Sequence, residues 1–221
     1  MGVSWDGLHE DVKEYLLRRA ETEEERQEVK DRLALHPGTG RVVAVGMWLP
    51  HEDRGSVLVE GSGGWQEVGG EDGFLPGTRL FAGSEQEILE EFWQVLGRNV
   101  GRVVTYNGRK FDGPFLMTRS VMLGVEPTRN LVPYRYSFKD HCDLAEVLSF
   151  FGARSMNSLQ FWCRQFGIDS PKETMSGDQV GAFYLKGDLE SIARYSLEDA
   201  RATASLYLKV LPLIRVTEQK R

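Results

Sequence analysis

The sequence predicts an α/β fold with a small mixed sheet and no internal repeat, and the order of its apolar segments is the reason. Two segments with strand character, Arg41–Leu49 and Ser56–Glu60, are joined by a short turn. A third, Val103–Tyr106, follows a segment with the apolar spacing of a helix. Helical spacing then continues to the C-terminus. A few strands that alternate with helices favour an α/β arrangement around one sheet.

The composition indicates one soluble domain. The chain has 221 residues, of which 41% are hydrophobic, enough for one well-buried core and few for two. The net charge of −6 gives no basic surface for non-specific nucleic-acid binding, but a carboxylate-based nuclease site is compatible with it. Two cysteines without a pairing pattern, and no signal peptide, predict a cytoplasmic protein. No apolar run approaches the ~20 residues of a membrane span.

Three parts are predicted along the chain. Residues 1–40 form a charged N-terminal segment with one or two amphipathic helices, and its glutamate-rich part is a solvated face or a loose connection. Residues 41–211 form the main domain. Residues 212–221 form a C-terminal tail.

The first half of the main domain is expected to hold a hairpin and a capped helix. Arg41–Leu49 is almost continuously apolar, which is typical of a strand buried on both faces, and Ser56–Glu60 is its expected antiparallel partner. Residues 61–83 are glycine-rich but contain no Gly-Lys-Ser/Thr, so we interpret them as hairpin and connecting loop rather than a phosphate-binding loop. Ser84 and Glu87 then form a capping box at a helix start.

The stretch from Val103 to Leu116 carries the first candidate site. A short buried strand, Val103–Tyr106, is stopped by the turn signal Asn107-Gly108, and Asp112 stands at the head of the next apolar helix. Asp112 is thereby placed at the carboxyl end of a strand, where open α/β sheets keep their sites. The alternative interpretation is that Asp112 only caps the helix.

The second half of the main domain is predicted to be helical. Residues 125–140 form a loop, and helices are predicted over His141–Phe151, Ser158–Gly167, Gly177–Leu185 and Leu189–Leu211. Asp143 is expected to cap the first of these helices rather than bind a metal.

The last helix carries the second candidate site. Tyr195 and Asp199 are four residues apart, so their side chains share one surface of that helix. A carboxylate there can hold a divalent cation while the phenol positions a water molecule. Alternatively, Tyr195 is a boundary residue of the core and Asp199 is merely exposed, because this spacing often arises by chance.

Taken together, the two sites resemble a known family. Asn-x-x-x-Phe-Asp, from Asn107 to Asp112, followed by Tyr-x-x-x-Asp, from Tyr195 to Asp199, is similar to the second and third motifs of the DEDDy-type 3′–5′ exonucleases. The resemblance is greatest to the exonuclease domain of family-B DNA polymerases. It extends from about residue 41 to residue 211, with smaller matches at Asp143-Leu144, Met175–Val180 and Arg194–Ala200.

The resemblance implies a three-layer, RNase H-like fold and removal of nucleotides from a 3′ end by two metal ions, Mg²⁺ or Mn²⁺. The substrate is a single-stranded 3′ end, with DNA favoured over RNA, and any polymerase or repair partner stays open. The residues carried over are Asp112 and Asp199 as metal-site carboxylates, Tyr195 beside the nucleophilic water, Asn107 and Phe111 on the terminal nucleotide, and Lys172 on a phosphate.

One part of the family pattern is absent. The first motif of the family is an Asp-x-Glu on the first, central strand, but the only Asp-x-Glu here is Asp188-Leu189-Glu190, at the start of the last helix. In the RNase H-like arrangement that strand would lie between Arg41–Leu49 and Val103–Tyr106 and pair with both. We therefore expect that Met1 is not the natural start, and that the upstream frame encodes a short apolar strand ending in Asp-x-Glu.

Three functional classes follow from these observations. The first is a metal-dependent 3′–5′ exonuclease, which is either complete when translated from an upstream start or impaired as the 221-residue chain. The second is a nucleic-acid-binding module that keeps the exonuclease fold without catalysis. The third is a structural or interaction domain in which both motifs are coincidental. Release of mononucleotides in the presence of metal distinguishes the first class, and salt-sensitive single-strand binding without release distinguishes the second.

Overall fold

A charged, helical segment precedes the first strand in the computed structural model, which describes residues 4–69, 73–98, 101–168, 175, 177 and 179–218. A 3₁₀ turn at Trp5–Gly7 leads into α1 (Glu10–Leu17) and α2 (Glu23–Asp31). Thr22 and Glu25 form a capping box that starts α2, so the glutamate-rich part is helical rather than a loose connection. Neither helix contains a buried residue, and both are therefore surface elements.

Four strands form the larger sheet, in the order β1-β2-β4-β3. They are β1 (Ala44–Leu49), β2 (Arg54–Glu60), β3 (Gly64–Val68) and β4 (Thr78–Gly83). β1 and β2 form the predicted antiparallel hairpin, and β3 pairs antiparallel with β4. β4 runs parallel to β2, so the sheet is mixed. The segment 61–83, interpreted as hairpin and connecting loop, thus contributes two antiparallel strands, β3 and β4.

The next three elements carry the chain to the first candidate site. They are α3 (Glu85–Arg98), β5 (Val103–Thr105) and α4 (Asp112–Met122). The predicted capping box precedes α3: the backbone N–H of Ser84 donates to Glu87 Oε2 at 2.7 Å, and the Glu87 N–H donates to Ser84 Oγ at 3.4 Å. β5 follows this helix in the chain and ends at Thr105, two residues before Asn107.

A second, two-stranded sheet replaces part of a predicted helix. His141–Asp143 is β6 and pairs parallel with β5, and only Leu144–Leu148 forms a helix, α5. The prediction of a helix over His141–Phe151 was wrong at its start because three buried residues gain more from pairing with β5 than from helical hydrogen bonds. The following helices are α6 (Leu159–Gln165) and α7 (Val180–Leu185).

The last helix, α8 (Leu189–Glu218), is longer than predicted. It continues through Pro212, so residues 212–218 of the predicted C-terminal tail are helical. Ile214 lies in this part and is completely buried. The hydrophobic contacts of Ile214 therefore stabilise the helix beyond the proline, which removes one backbone hydrogen bond.

The sheets lie between two layers of helices. On one side, α3 and α4 form a core cluster that includes residues of both β1 and β5. On the other side, α8 crosses both sheets: Ala193 and Leu197 pack on β2 and β4, whereas Ala202 and Leu206 pack with residues of β5 and β6. Gly46 of β1 is so close to α8 that a Cβ there would lie 2.2 Å from the Ser196 carbonyl oxygen. This is the three-layer α/β arrangement that the sequence predicts.

One edge of β1 and one edge of β5 have no strand partner among the described residues, because β1 pairs only with β2 and β5 only with β6. Both strands are half-buried rather than buried, so the expectation of a strand buried on both faces at Arg41–Leu49 was wrong. Full burial of β1 would need a neighbour on its open side. These open edges belong to neighbouring sheets that α8 holds together.

Candidate active site

A tight loop places Asp112 beside the end of β5. Asn107 adopts a left-handed conformation, with φ of 64°, which asparagine tolerates better than most residues. The N–H of Phe111 then donates to the Asn107 carbonyl at 3.1 Å, and the N–H of Gly113 donates to the Gly108 carbonyl at 2.7 Å. A Cβ at position 108 would lie 2.5 Å from Thr105, so this turn requires glycine.

Asp143 fixes this loop from the neighbouring strand. Its Oδ1 accepts hydrogen bonds from the N–H groups of Asn107 at 2.8 Å and Ala145 at 3.0 Å, and its Oδ2 accepts one from Arg109 at 2.9 Å. Asp143 is the N-cap of α5, as predicted. Its side chain is buried and directed at three backbone amides, so Asp143 positions the loop.

Asp112 is the first residue of α4 and does not cap it. The N-cap is Phe111, which makes no side-chain capping hydrogen bond. The alternative interpretation of Asp112 as only a cap is therefore wrong. The Asp112 residue keeps exposed surface, yet protein atoms surround its carboxylate closely. Asp112 is therefore a surface carboxylate with crowded surroundings.

The electrostatic surroundings of Asp112 link it to α8. The pKa of Asp112 is raised to about 6, chiefly by burial; a hydrogen bond from its own backbone N–H opposes this shift, and the negative charges of Asp143 and Asp199 add to it. Asp143 accepts hydrogen bonds from three backbone amides, whereas Asp199 extends from α8 toward Asp112 without such amide partners among the described residues. Carboxylates that couple in this way are a frequent feature of functional sites.

Asp199 and Tyr195 interact on α8, as their spacing predicts. Burial raises the pKa of Asp199, and a hydrogen bond donated by the Tyr195 hydroxyl opposes that shift. The Tyr195 ring packs partly against Val43, which leads into β1, and Ile192 of the same helix. Tyr195 is therefore held between the core and the Asp199 carboxylate, and neither residue is simply an exposed side chain.

The carboxylates of Asp112 and Asp199 are suitable ligands for a hard divalent cation, but two carboxylates do not form a complete site. Two carboxylates whose charges repel would both be stabilised by a cation between them, and carboxylate oxygens are preferred by Mg²⁺ and Mn²⁺. Within the described part of the chain, however, no group of three or more histidine, cysteine, aspartate or glutamate side chains converges. Asp112 and Asp199 alone would bind one cation weakly.

The residues predicted to contact the terminal nucleotide differ in their exposure. Phe111 has 40% of its surface exposed, and its ring centroid lies 5.6 Å from that of Phe115. Asn107 is half-buried in the loop that Asp143 fixes. The loop and helix start from residue 107 to residue 112 thus hold Asn107, Phe111 and Asp112 together. Lys172 lies outside the described residues.

Sequence reasoning missed the buried ion pair behind the loop. Arg109 contacts Glu146, with Nε and Oε2 3.0 Å apart, and donates from Nη1 to the Pro133 carbonyl at 2.5 Å. Glu146 also contacts Arg135, at 2.8 Å. Burial raises the pKa of Glu146, and these two arginines oppose the shift. No spacing in the sequence joins residues 109, 135 and 146, because the fold alone brings them together.

Residues 78–219 match a protein family described as a predicted 3′–5′ exonuclease related to the exonuclease domain of PolB. The chain belongs to this family. The match includes β4, β5 and every predicted site residue from Asn107 to Asp199. The resemblance inferred from the two motifs is therefore confirmed, and with it the RNase H-like fold.

Curated relatives and a solved structure agree with the family. The chain is 30% identical over 150 residues to a DNA polymerase of Desulfurococcus sp. (strain Tok), which covers 59% of this chain and 19% of the polymerase. It is 28% identical over 150 residues to a DNA polymerase of Pyrococcus horikoshii, covering 59% of this chain and 12% of the polymerase. The family B DNA polymerase of Pyrobaculum calidifontis has the same fold, with a TM-score of 0.52, 22% identity and coverage of 73% of this chain and 20% of that chain.

The chain thus spans a fifth or less of the length of these polymerases. No helix in the described ranges combines the length and the apolar character that crossing a membrane requires. Belonging to the family establishes an exonuclease-like domain, and the chemistry of this chain has to be argued from its own residues.

Proposed function

We propose that this chain is a metal-dependent 3′–5′ exonuclease domain that removes nucleotides from the 3′ end of a single-stranded nucleic acid, with DNA favoured over RNA. The observation that carries the proposal is that Asp112 of α4 and Asp199 of α8, which the family match includes, lie near enough for the charge of Asp199 to raise the pKa of Asp112. Tyr195, bonded to Asp199, supplies the third group of the site. This trio occurs in a chain of a family of exonucleases.

Each residue has a distinct role in the proposed reaction. Asp112 and Asp199 would hold Mg²⁺ or Mn²⁺, which when bound stabilises the attacking and leaving oxygens of an in-line displacement, and the complete family site uses two such ions. Tyr195 orients the attacking water through its hydroxyl group. Asn107 and the exposed ring of Phe111 contact the terminal nucleotide.

Two further elements belong to the proposal. Lys172 would contact a phosphate of the strand. We also expect the protein to act in the cytoplasm, because its two cysteines are free and buried. Burial raises the pKa of Cys142 to about 12 and that of Cys163 to about 11, so both thiols stay protonated and unreactive.

The missing carboxylates are proposed to come from an additional strand between β1 and β5. Each of these strands has an open edge among the described residues, and α8 spans both sheets. A strand there would satisfy the backbone groups of both edges, which are costly to leave unpaired when buried. If that strand ended in Asp-x-Glu, its carboxylates would add to Asp112 and Asp199 and complete a two-metal site.

Release of mononucleotides from single-stranded DNA tests this function. A strand labelled at its 5′ end should shorten progressively with Mg²⁺ or Mn²⁺ and stay intact with a chelator, whereas a strand blocked at its 3′ end should persist. We expect little release by the 221-residue chain and clear release by a chain extended with the additional strand. The Asp112→Ala variant of the extended chain is the matched control. Metal-dependent shortening that Asp112→Ala leaves unchanged would exclude this site.

A non-catalytic nucleic-acid-binding module is the second candidate function. The observation that favours it is that no group of three or more histidine, cysteine, aspartate or glutamate side chains among the described residues could hold a metal ion. In this case the chain binds single strands with an affinity that falls steeply as the salt concentration rises. Neither the 221-residue chain nor the chain extended with the additional strand releases nucleotides. The same labelled strand distinguishes the two functions, because binding and shortening are measured separately.

A further inference from the structure

A group of aromatic rings lies on the loop before β6 and at the C-terminal end of α5. We call Tyr134, Tyr136, Phe150 and Phe151 the aromatic platform. Tyr134 is 73% exposed, Phe150 53% and Tyr136 39%. The Tyr136 ring centroid lies 5.8 Å from that of Tyr134 and 4.9 Å from that of Phe151. The ring contacts thus run from Tyr134 through Tyr136 to the half-buried Phe151, and the exposed Phe150 is the next residue along the chain from Phe151. Groups of exposed apolar side chains mark binding surfaces.

The backbone of the aromatic platform is in an unfavourable conformation. Phe150 and Phe151 follow α5 with φ angles of 51° and 59°, in the left-handed region that a Cβ disfavours. The N–H of Phe150 donates to the Val147 carbonyl, and that of Phe151 to the Glu146 carbonyl, so this is a helix C-terminus where glycine is the usual residue. An exposed phenylalanine stands where glycine would be more stable, and such a local cost is typical of functional surfaces.

Ion pairs connect the aromatic platform to the loop of the candidate active site. Arg135, between the two tyrosines, contacts Glu146 at 2.8 Å and donates to the Phe151 carbonyl at 3.3 Å. Glu146 also contacts Arg109, three residues before Asp112. The Arg135 guanidinium lies 6.0 Å from the Tyr136 ring centroid. One carboxylate therefore fixes both the platform and the loop, and the two surfaces hold a constant relative position.

We propose that the aromatic platform binds the single-stranded part of the substrate by stacking on its bases, next to the terminal nucleotide; this rests on the proposed function. An exonuclease must accept a different base at each contact whenever the strand advances. Stacking satisfies this requirement because every base has a π-face, whereas hydrogen-bond recognition would favour one base. The exposed rings of Tyr134 and Phe150 are the two stacking contacts, and Tyr136 and Phe151 support them.

Binding of a fluorescent single-stranded oligothymidylate to the full chain tests the proposal. Fluorescence anisotropy is measured with a chelator present, so that cleavage plays no part. Tyr134→Ala and Phe150→Gly should each weaken binding about tenfold, as loss of one stacked base does. The slope of affinity against salt should stay unchanged, because no phosphate contact is removed. Tyr15→Ala, which removes a 59% exposed tyrosine from α1, is the matched control and should bind like the wild type.

Phe150→Gly also separates binding from folding. Its melting temperature should equal or exceed that of the wild type, because glycine relieves the left-handed strain. Three results would overturn the proposal that the platform binds single strands. Both platform variants could bind the single strand like the wild type, or a duplex could compete as well as the single strand does. Tyr15→Ala could also lose as much affinity as the platform variants. Weakened binding by both platform variants supports it even if the release assay finds no nuclease. If the wild type releases nucleotides with metal and the platform variants bind the single strand normally, the platform proposal is refuted and the proposed function stands.

Discussion

Replacing Asp112 by asparagine should stabilise the metal-free protein while it removes the site. The pKa of Asp112 is raised from its ordinary 3.8 to about 6, a difference of about two units. One unit corresponds to 1.36 kcal/mol, so a fully enclosed carboxylate would destabilise the folded chain by about 3 kcal/mol above pH 6. Because Asp112 keeps exposed surface, water screens part of this effect, and we expect about 1 kcal/mol.

The sign of the pH dependence follows from the raised pKa. Below pH 3.8 both the folded and the unfolded chains carry a neutral Asp112, and the variant gains nothing. Between pH 3.8 and about 6 the unfolded chain ionises first, so the wild type loses stability relative to Asp112→Asn. Above about pH 6 the full difference is present, equivalent to roughly 2–4 °C in Tm for a chain of this size.

Thermal unfolding followed by circular dichroism, with a chelator, measures this difference. Asp140→Asn, which removes an exposed carboxylate outside the site, is the control and should leave Tm unchanged at every pH. Added Mn²⁺ should raise the Tm of the wild type but not of Asp112→Asn, because only the wild type keeps the cation ligand. A variant that is less stable than the wild type at neutral pH, or whose difference does not depend on pH, would refute the crowded-carboxylate reasoning.

The other substitutions test catalysis and the supporting structure. In an active, extended chain, alanine at either aspartate of the pair should lower the rate about a thousandfold or more, equivalent to roughly 4 kcal/mol. Tyr195→Phe should have a smaller effect, since water can partly replace an orienting phenol; unchanged turnover in an aspartate variant would refute the metal roles. Asp143→Ala should cost about 3 kcal/mol in urea unfolding, because three backbone amides lose their acceptor. Arg119→Met should cost about 3–5 kcal/mol, because it leaves the buried Glu85 carboxylate without its ion pair, and a loss below about 1 kcal/mol would contradict this.

Local chemistry made much of the fold predictable. The capping box at Ser84, the turn at Asn107-Gly108 and the helical spacing around Tyr195 and Asp199 each depend on residues a few positions apart. Structures of this kind can be predicted from sequence whatever the fold, because residues close together in the chain determine them. The two motifs were predicted for the same reason, and the family match supports them.

The errors arose where distant residues decide the structure. β6 is only three residues long and is a strand because β5 lies beside it, so no periodicity distinguishes it from the first turn of a helix. The half-burial of β1 depends on the open edge next to it, which its apolar sequence does not encode. Likewise, the contact of Arg109 with Glu146 joins residues that the sequence separates by α4, a loop, β6 and the start of α5.

Binding of Mn²⁺ to the full chain tests the pairing of Asp112 with Asp199 most directly. Free Mn²⁺ is followed by electron paramagnetic resonance during titration of the wild type, Asp112→Asn, Asp199→Asn and Asp188→Asn. Asp188 belongs to the Asp-x-Glu sequence at the start of α8, where it accepts a hydrogen bond from Ser191. We expect one weakly bound Mn²⁺ in the wild type and in Asp188→Asn, displaced by Mg²⁺, and none in either of the other variants. Equal Mn²⁺ binding by Asp112→Asn and the wild type would contradict the proposed site.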